Sequence, residues 1–144
     1  MKHPASARTA AQQRTCLIVE DSDFDREKMT RVLNRTMGKI HVEVATTLRS
    51  ARLALSNAEV SLILLDNNLP DGLGANFALE LSLNARLSGI PVILVSDWPS
   101  PFMWEKAASA GVLYVLNKGE FDARYVHAAL KMGSTRRNKL NLAH

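Results

Sequence analysis

Short apolar runs and longer amphipathic stretches alternate five times between residues 15 and 133. Apolar runs of four or five residues that are rich in aliphatic side chains are typical of strands buried on both faces of a parallel sheet. Strands that alternate with helices in this way are joined by right-handed crossovers. The pattern predicts an α/β fold: a doubly wound five-stranded parallel sheet with helices on both faces. The predicted strands are residues 16–19, 42–45, 62–65, 91–95 and 113–116.

Residues that cap or break helices mark where the predicted helices begin and end. The predicted N-caps are Ser22, Thr46 or Thr47, and Ser100. The third helix is expected between about residues 74 and 87. The fifth is expected from about residue 121 to 132, with Gly133 ending it.

The charge of the chain is concentrated at its two ends. Residues 1–14 and 134–144 each carry three of the 18 basic residues and no acidic one. The segment 15–133 therefore contains 12 basic and 14 acidic residues. We therefore predict a flexible basic N-terminal segment at 1–14, one domain at 15–133 and a basic C-terminal tail at 134–144. The tails are either solvated ends or weak contacts for a polyanion.

Neither a secretory signal nor a membrane span is evident in the sequence. The first 14 residues contain basic side chains but no apolar central run, and no stretch is apolar enough to cross a bilayer. These observations predict a cytoplasmic protein without a membrane partner. Cys16, the single cysteine, lies in a predicted strand and is expected to be a small buried apolar residue.

Polar side chains follow four of the predicted strands. Glu20 and Asp21 come after the first strand, Asp66 after the third, Ser96 after the fourth and Lys118 after the fifth. Ligands of doubly wound sheets bind at the carboxyl ends of the strands, so these side chains are expected to meet. Three neighbouring carboxylates repel one another unless a cation is bound, and Mg²⁺ prefers such hard oxygen ligands. The pattern therefore predicts a magnesium site.

Beside a bound metal, these groups have the chemistry of a phosphoryl acceptor. Asp66 is an ionised carboxylate that can attack phosphorus without a general base. Lys118 would place a positive charge on one phosphoryl oxygen, and Ser96 would donate a hydrogen bond to another. A second interpretation of Lys118, an exposed ion pair with Glu120, remains open.

The motifs that carry these residues resemble the receiver domain of response regulators, the CheY-like branch of flavodoxin-like folds, over residues 15–132. The resemblance rests on the order and spacing of several motifs, including a Pro four residues and a Gly eight residues after Asp66. These motifs are Val19-Glu20-Asp21, the segment LDNNLPDGLG at 65–74, Leu94-Val95-Ser96 and Asn117-Lys118.

The resemblance implies a role for each matching residue. It makes Asp66 the phosphorylated residue, Ser96 the switch hydroxyl and Lys118 the phosphoryl-binding lysine. It also implies that a histidine kinase or histidine phosphotransfer protein is the phosphodonor, that an unknown protein is the target, and that a homodimer is one available state. The implied Mg²⁺ ligands are Glu20, Asp21, Asp66 and the backbone carbonyl of Asn68.

Two positions differ from the usual receiver pattern. Val115 stands where many receivers have a switch aromatic, and Tyr114 is one residue earlier, which in a strand points to the opposite face. Gly119 stands where the family commonly has Pro, which predicts a more mobile lysine loop.

The loop after the fourth strand also differs from the family pattern. Asp97 follows Ser96 where a small residue is common, and Trp98 and Trp104 lie in and after this loop. We predict a signalling surface that contains Asp97, Trp98, Trp104 and Tyr114, with the two tryptophans in place of the aromatic switch.

The favoured function is a stand-alone receiver, a phosphoacceptor and not an enzyme, which acts by protein contacts or phosphoryl shuttling. No DNA-binding domain is expected, because few residues follow residue 132. One alternative is a phosphorylation-independent scaffold with the receiver fold. Another is a Mg²⁺-dependent phosphatase, which Asn68 disfavours because such enzymes usually have an acid/base Asp there.

Overall fold

The structure is a computed structural model that describes the backbone of residues 14–37 and 40–142, and their side chains except those of 37 and 134–142. The described chain contains seven strands and five α-helices. The strands are β1 (Arg14–Val19), β2 (Ile40–Ala45), β3 (Leu62–Asp66), β4 (Asn68–Leu69), β5 (Gly72–Leu73), β6 (Val92–Ser96) and β7 (Tyr114–Asn117). The helices are α1 (Asp23–Met37), α2 (Leu48–Asn57), α3 (Gly74–Ser82), α4 (Pro101–Ser109) and α5 (Ala123–Leu142), and a 3₁₀ turn covers Lys118–Glu120.

Five of the strands form one parallel sheet in the order β2-β1-β3-β6-β7. The order reverses direction between β1 and β3, which defines a doubly wound sheet. The predicted fold class is therefore confirmed. The short strands β4 and β5 form a separate antiparallel hairpin directly after β3, which the sequence pattern did not predict.

The central strands β1, β3 and β6 are buried on both faces, as their apolar runs predicted, whereas the edge strand β2 is partly exposed. Alternate residues of β1 and β3 lie in two different hydrophobic cores: Leu17 and Ile63 in one, Ile18 and Leu64 in the other. Each fully buried aliphatic side chain of this kind contributes about 1.5–3 kcal/mol through the hydrophobic effect. The central strands are therefore a rigid base for the residues that follow them.

The predicted helix starts agree with the structure. Ser22 Oγ accepts a hydrogen bond from Asp25 N (3.3 Å), and Ser100 Oγ accepts one from Met103 N (3.2 Å). Of the two candidates for the second cap, Thr47 is the N-cap and its hydroxyl accepts from Ser50 N. These bonds satisfy backbone donors that a helix N-terminus leaves free.

Two predicted helix ends are wrong. The third helix was expected to reach about residue 87, but α3 ends at Ser82. The side chain of Asn84 accepts hydrogen bonds from the backbone N–H groups of Arg86 and Leu87, and this local turn replaces the helix.

The fifth helix was expected to stop at Gly133, but α5 continues to Leu142. A Cβ at Gly133 would lie 3.0 Å from Pro91 Cγ, so this glycine permits close packing and does not end the helix. The backbone is thus helical through the first nine residues of the predicted tail, 134–144. The predicted N-terminal segment lies outside the described residues except for Arg14, which begins β1.

Candidate functional site

The carboxyl ends of four parallel strands meet at one edge of the sheet, and the predicted polar residues lie there. Glu20 and Asp21 follow β1, Asp66 is the last residue of β3 and Ser96 is the last residue of β6. One carboxylate oxygen from each of Glu20, Asp21 and Asp66 lies within 4.8 Å of the other two. Glu20 and Asp66 are buried and Asp21 is exposed, so the cluster opens to solvent at Asp21.

Lys118, directly after β7, reaches into this acidic cluster. Its Nζ lies 2.8 Å from Glu20 Oε1 and 3.6 Å from Asp66 Oδ2, and its side chain is only 12% exposed. The alternative in which Lys118 pairs with Glu120 at the surface is wrong. Glu120 instead accepts a hydrogen bond from Asn117 N (3.0 Å). The sheet therefore gathers the predicted lysine and carboxylates into one site.

Burial governs the ionisation of the two inner carboxylates. It raises the pKa of Glu20 to about 7, with a further increase from neighbouring Asp66 and a partly compensating decrease from Lys118. Burial also raises the pKa of Asp66, against the charge of Lys118. For Lys118, burial would lower the pKa, but the carboxylates of Asp25, Glu20 and Asp66 together raise it. The site thus retains a charged lysine beside carboxylates that hold protons unusually well.

The donor set fits a magnesium ion. Glu20 Oε1 is fully buried and, within the described part of the chain, accepts no hydrogen bond of normal geometry despite its ion pair with Lys118. An unsatisfied buried carboxylate oxygen is costly, and a hard divalent cation would relieve this cost. Glu20, Asp21 and Asp66 are therefore suited to hold the metal. Asn68 is exposed at the start of β4, and its carbonyl remains a predicted ligand.

The loop after Asp66 is fixed by two neighbours. Asn67 is buried, and its side-chain oxygen accepts a hydrogen bond from Ala75 N (2.9 Å) at the start of α3. Gly74 packs directly on the backbone of Asp66, where a Cβ would overlap the Asp66 carbonyl oxygen. The glycine eight residues after Asp66 is therefore required by close approach.

Ser96 is buried beside the acidic cluster. In the pairing of β3 with β6, Asp66 lies opposite Val95, which directly precedes Ser96. Ser96 Oγ accepts a hydrogen bond from the backbone N–H of Trp98 (3.2 Å). The hydroxyl thus links the site to the loop between β6 and α4. Asp97, in this loop, is exposed and its carbonyl accepts from Asn117 Nδ2 (2.8 Å).

The turn that carries Lys118 has its own hydrogen bonds. Asn117 Oδ1 accepts from Gly119 N (2.8 Å), and Glu120 Oε1 accepts from Asn117 N. Together they form a capping box around the 3₁₀ turn. Gly119 had predicted a more mobile lysine loop, whereas these side-chain bonds supply part of the constraint that a proline would give.

The aromatic residues occupy two different environments. Trp98 and Trp104 are 86% and 52% exposed, with Phe102 also exposed nearby in sequence. Tyr114 instead packs edge-to-face on Tyr125 of α5, with ring centroids 5.1 Å apart. Val115 lies in the core on the other face of the sheet. The prediction that Tyr114 points to the opposite face of the sheet from Val115 is confirmed.

Sequence reasoning missed two residues of the site. Asp25, in the first turn of α1, is not among the predicted site residues, but its Oδ2 lies 2.7 Å from Lys118 Nζ. Asn67 lies in the motif at 65–74, where the sequence predicts no role for it. Its hydrogen bond from Ala75 N is made by a side chain that the fold buries. The separation of 93 residues between Asp25 and Lys118 leaves no local signal for their contact.

Comparison with known proteins decides the family. The sequence model described as the response regulator receiver domain matches residues 16–131. The chain belongs to this family. The match also covers every residue of the candidate site, and the predicted resemblance is confirmed.

One similar protein is a transcriptional regulator that matches part of the chain. The transcriptional regulatory protein DpiA of Escherichia coli K12 is 39% identical over 67 residues, which are 46% of this chain and 30% of DpiA. The chain therefore matches less than a third of that relative's length.

Solved receiver structures share the fold. The receiver domain of an HD domain-containing protein from Pseudomonas fluorescens Pf-5 has a TM-score of 0.78 at 18% identity, over 88% of this chain and 93% of that one. A CheY-like receiver from Methanospirillum hungatei JF-1 has a TM-score of 0.74 at 21% identity, over 89% and 98%. The Mn²⁺-bound response regulator Rcp1 has a TM-score of 0.69 at 24% identity, over 83% and 88%.

This receiver is thus a signalling module of two-component systems, and its acidic cluster is compatible with Mg²⁺. None of the helices that the structure describes is long and apolar enough to span a membrane.

Proposed function

We propose that this receiver accepts a phosphoryl group on Asp66 from a histidine kinase or a histidine phosphotransfer protein, with Mg²⁺ bound beside it. The observation that carries the proposal is the position of Asp66, which is 2% exposed at the end of β3. Two further carboxylates lie within 4.8 Å of it, and the Lys118 ammonium lies 3.6 Å away.

In the proposed reaction, an oxygen of the Asp66 carboxylate forms a bond to phosphorus. The bond between phosphorus and the donor nitrogen breaks, and the donor imidazole leaves with that electron pair. Lys118 neutralises charge on a phosphoryl oxygen, which is the main way that such transfers are accelerated. Ser96 would donate a hydrogen bond from its hydroxyl to a second phosphoryl oxygen.

Glu20 and Asp21 would hold the metal together with Asp66, with the carbonyl of Asn68 as a further ligand. When bound, Mg²⁺ supplies positive charge that brings carboxylate and phosphoryl oxygens together. The support is the chemistry of the donor set and the similarity to Rcp1, whose solved form binds Mn²⁺. Asn68 follows Asp66 by two residues and pairs with Leu73 in the hairpin of β4 and β5.

The signal would leave through the loop between β6 and α4. Ser96 Oγ accepts from Trp98 N, so a hydroxyl that turns toward a phosphoryl group withdraws an acceptor from this loop. Trp98 and Trp104 offer exposed aromatic surface, and Asp97 adds a charge beside them. Exposed apolar surface of this kind often marks a protein contact. Tyr114 packs on Tyr125 against the core on the other face of the sheet from α4 and lies outside this contact surface.

Intact-protein mass spectrometry tests the proposal directly. The chain is incubated with Mg²⁺ and a small-molecule phosphodonor, in parallel with Asp66→Asn and with a sample that contains a chelator. We expect one phosphoryl adduct on the unaltered chain and none in the other two samples. Asp71→Asn is the matched control, because Asp71 lies in the same loop but binds α2, and this variant should still form the adduct.

Two outcomes contradict the proposal. An adduct that survives in Asp66→Asn would place the phosphoryl group on another residue. Magnesium binding without any adduct would favour the scaffold alternative, in which the receiver fold acts independently of phosphorylation.

A further inference from the structure

The ammonium of Lys118 has an acidic partner outside the predicted phosphoacceptor cluster. Asp25 Oδ2 lies 2.7 Å from Lys118 Nζ, closer than Glu20 Oε1 at 2.8 Å and Asp66 Oδ2 at 3.6 Å. The distance to Asp66 is too long for a hydrogen bond, whereas that to Asp25 is typical of a charge-assisted one. In this structure the lysine is therefore engaged by Asp25 more closely than by the nucleophile.

The fold holds Asp25 firmly in this position. Asp25 is in the first turn of α1, and its backbone N–H donates to the side chain of the helix cap Ser22. A carboxylate is favoured at a helix N-terminus, where the helix dipole is positive. The contact between Asp25 and Lys118 is a partly buried ion pair, because the two side chains are 22% and 12% exposed. Asp25 is thus a fixed partner and not a solvated acid.

The Asp25–Lys118 pair also lies at the wall of a groove between α1 and the lysine turn. The groove has a volume of about 210 Å³, and its other walls include Met29, Val32 and Phe121. Lys118 is therefore placed between this groove and the acidic cluster. Because Asp25 is not among the carboxylates whose oxygens lie within 4.8 Å of one another, we expect a move of the ammonium toward Asp66 to lengthen its contact with Asp25.

We propose that Asp25 is a positioning residue that competes with the phosphoryl group on Asp66 for the Lys118 ammonium. The inference rests on the proposed function, because it concerns the same lysine. In the unphosphorylated chain, Asp25 holds the ammonium near α1. Phosphoryl oxygens on Asp66 draw it inward at the expense of the Asp25 bond, so the Asp25 carboxylate lowers the affinity of the site for a phosphoryl group.

The affinity for beryllofluoride, a stable mimic of the phosphoryl group, tests this competition. Fluorine NMR of the bound mimic in the presence of Mg²⁺ gives the affinity of the full chain and its variants. We expect Asp25→Asn and Asp25→Ser to bind about fivefold more tightly, the factor that corresponds to one partly exposed ion pair. Asp25→Glu, which retains the carboxylate, is expected to return the affinity toward that of the unaltered chain.

Glu27→Gln is the matched control. It removes the same charge from the same helix, but Glu27 is exposed in a different groove, beside Val44 of β2. We expect its affinity for the mimic to remain near that of the unaltered chain. If the loss of any negative charge on α1 raised the affinity, both variants would bind the mimic more tightly. Thermal unfolding of each variant verifies that the fold is retained.

The outcomes separate this inference from the proposed function. If the unaltered chain binds the mimic and both Asp25 removals bind it equally or more weakly, the positioning role is overturned and the phosphoacceptor function stands. The same conclusion follows if Glu27→Gln tightens binding as much as Asp25→Asn. If the unaltered chain does not bind the mimic through Asp66, the proposed function fails and this inference fails with it.

Discussion

Glu20 Oε1 lies 2.8 Å from Lys118 Nζ, yet Glu20 holds its proton more strongly than an ordinary glutamate. Burial of the carboxylate is the main cause, and the nearby carboxylate of Asp66 adds to it. The attraction of Lys118, which also contacts Asp25 and Asp66, offsets only part of this cost. The site therefore binds a proton where it is expected to bind a metal.

Magnesium binding should depend on pH through Glu20. The pKa of Glu20 in the metal-free protein is raised to about 7, so below that pH a proton must leave before the carboxylate can bind the ion. We expect the affinity to increase as the pH rises from about 6 to about 8, with proton release on binding. Calorimetry in buffers of different ionisation enthalpy measures both quantities.

Glu20→Gln is the control for this prediction. The variant lacks the titrating carboxylate, so its weaker Mg²⁺ binding should change much less over the same pH range. An equal pH dependence in both proteins would mean that another group, such as Asp66, controls the titration.

The close packing of Gly74 on Asp66 predicts a sharp difference between two glycines. A methyl group at Gly74 would overlap the Asp66 carbonyl oxygen, whereas one at Gly89 meets nothing within 4 Å. Gly74→Ala should lower the free energy of unfolding by about 1–3 kcal/mol and slow phosphorylation of Asp66, because the loop must shift. Gly89→Ala should change neither. Denaturant unfolding and adduct formation are measured on both, and equal stabilities would contradict the packing argument.

Asp71 joins the loop after β3 to the start of α2. Its carboxylate accepts hydrogen bonds from Leu48 N (2.8 Å) and Arg49 N (3.0 Å). The bond from Leu48 N is the largest cause of a lowered pKa for Asp71. A carboxyl group with a lowered pKa in the folded state stabilises the protein above its ordinary pKa, and this contribution is lost as the pH falls through the lowered value.

Asp71→Ala should therefore lower the melting temperature by a few degrees at neutral pH, and this difference should shrink in acid. Differential scanning calorimetry at several pH values measures both effects. Glu59→Ala, which changes an exposed acid near the opposite end of the sheet, should leave the melting temperature nearly unchanged. A constant difference at every pH would show that the charge of Asp71 is not what stabilises α2.

The bond from Trp98 N to Ser96 Oγ predicts an optical signal for the switch. A hydroxyl that turns to a phosphoryl mimic releases the Trp98 backbone, and the indole, 86% exposed, should change its environment. We expect a change in tryptophan fluorescence when beryllofluoride and Mg²⁺ bind. Trp98→Phe should abolish most of it, and Trp104→Phe should retain it. Confirmed binding with no spectral change would argue against this route for the signal.

Much of the fold could be predicted from short-range patterns. The apolar runs predicted all five strands of the main sheet, and Ser22, Thr46 or Thr47, and Ser100 predicted three helix starts, of which the structure selects Thr47 for the second. The ends of α3 and α5 could not be read in this way. Asn84 forms a local turn that competes with the helix. Gly133 packs closely on Pro91, although the sequence suggested that this glycine ends the helix.

Much of the candidate site also followed from the sequence, because parallel strands bring their carboxyl ends to one edge of the sheet. Glu20, Asp21 and Asp66 could be grouped from their strand positions alone. The partner of Lys118 could not, since the contact with Asp25 joins residues 93 positions apart. Only the packing of α1 beside the lysine turn creates it.

The sequence by itself determined which chemical groups stand at the strand ends, because the order of apolar runs defines the strands and the residue after each run is fixed. The tertiary structure decided how those groups share charge. Burial is a property of the packed molecule, and it raises the pKa of Glu20 and Asp66. Distance is likewise set by packing, and it places the Lys118 ammonium nearer to Asp25 than to the proposed phosphoacceptor.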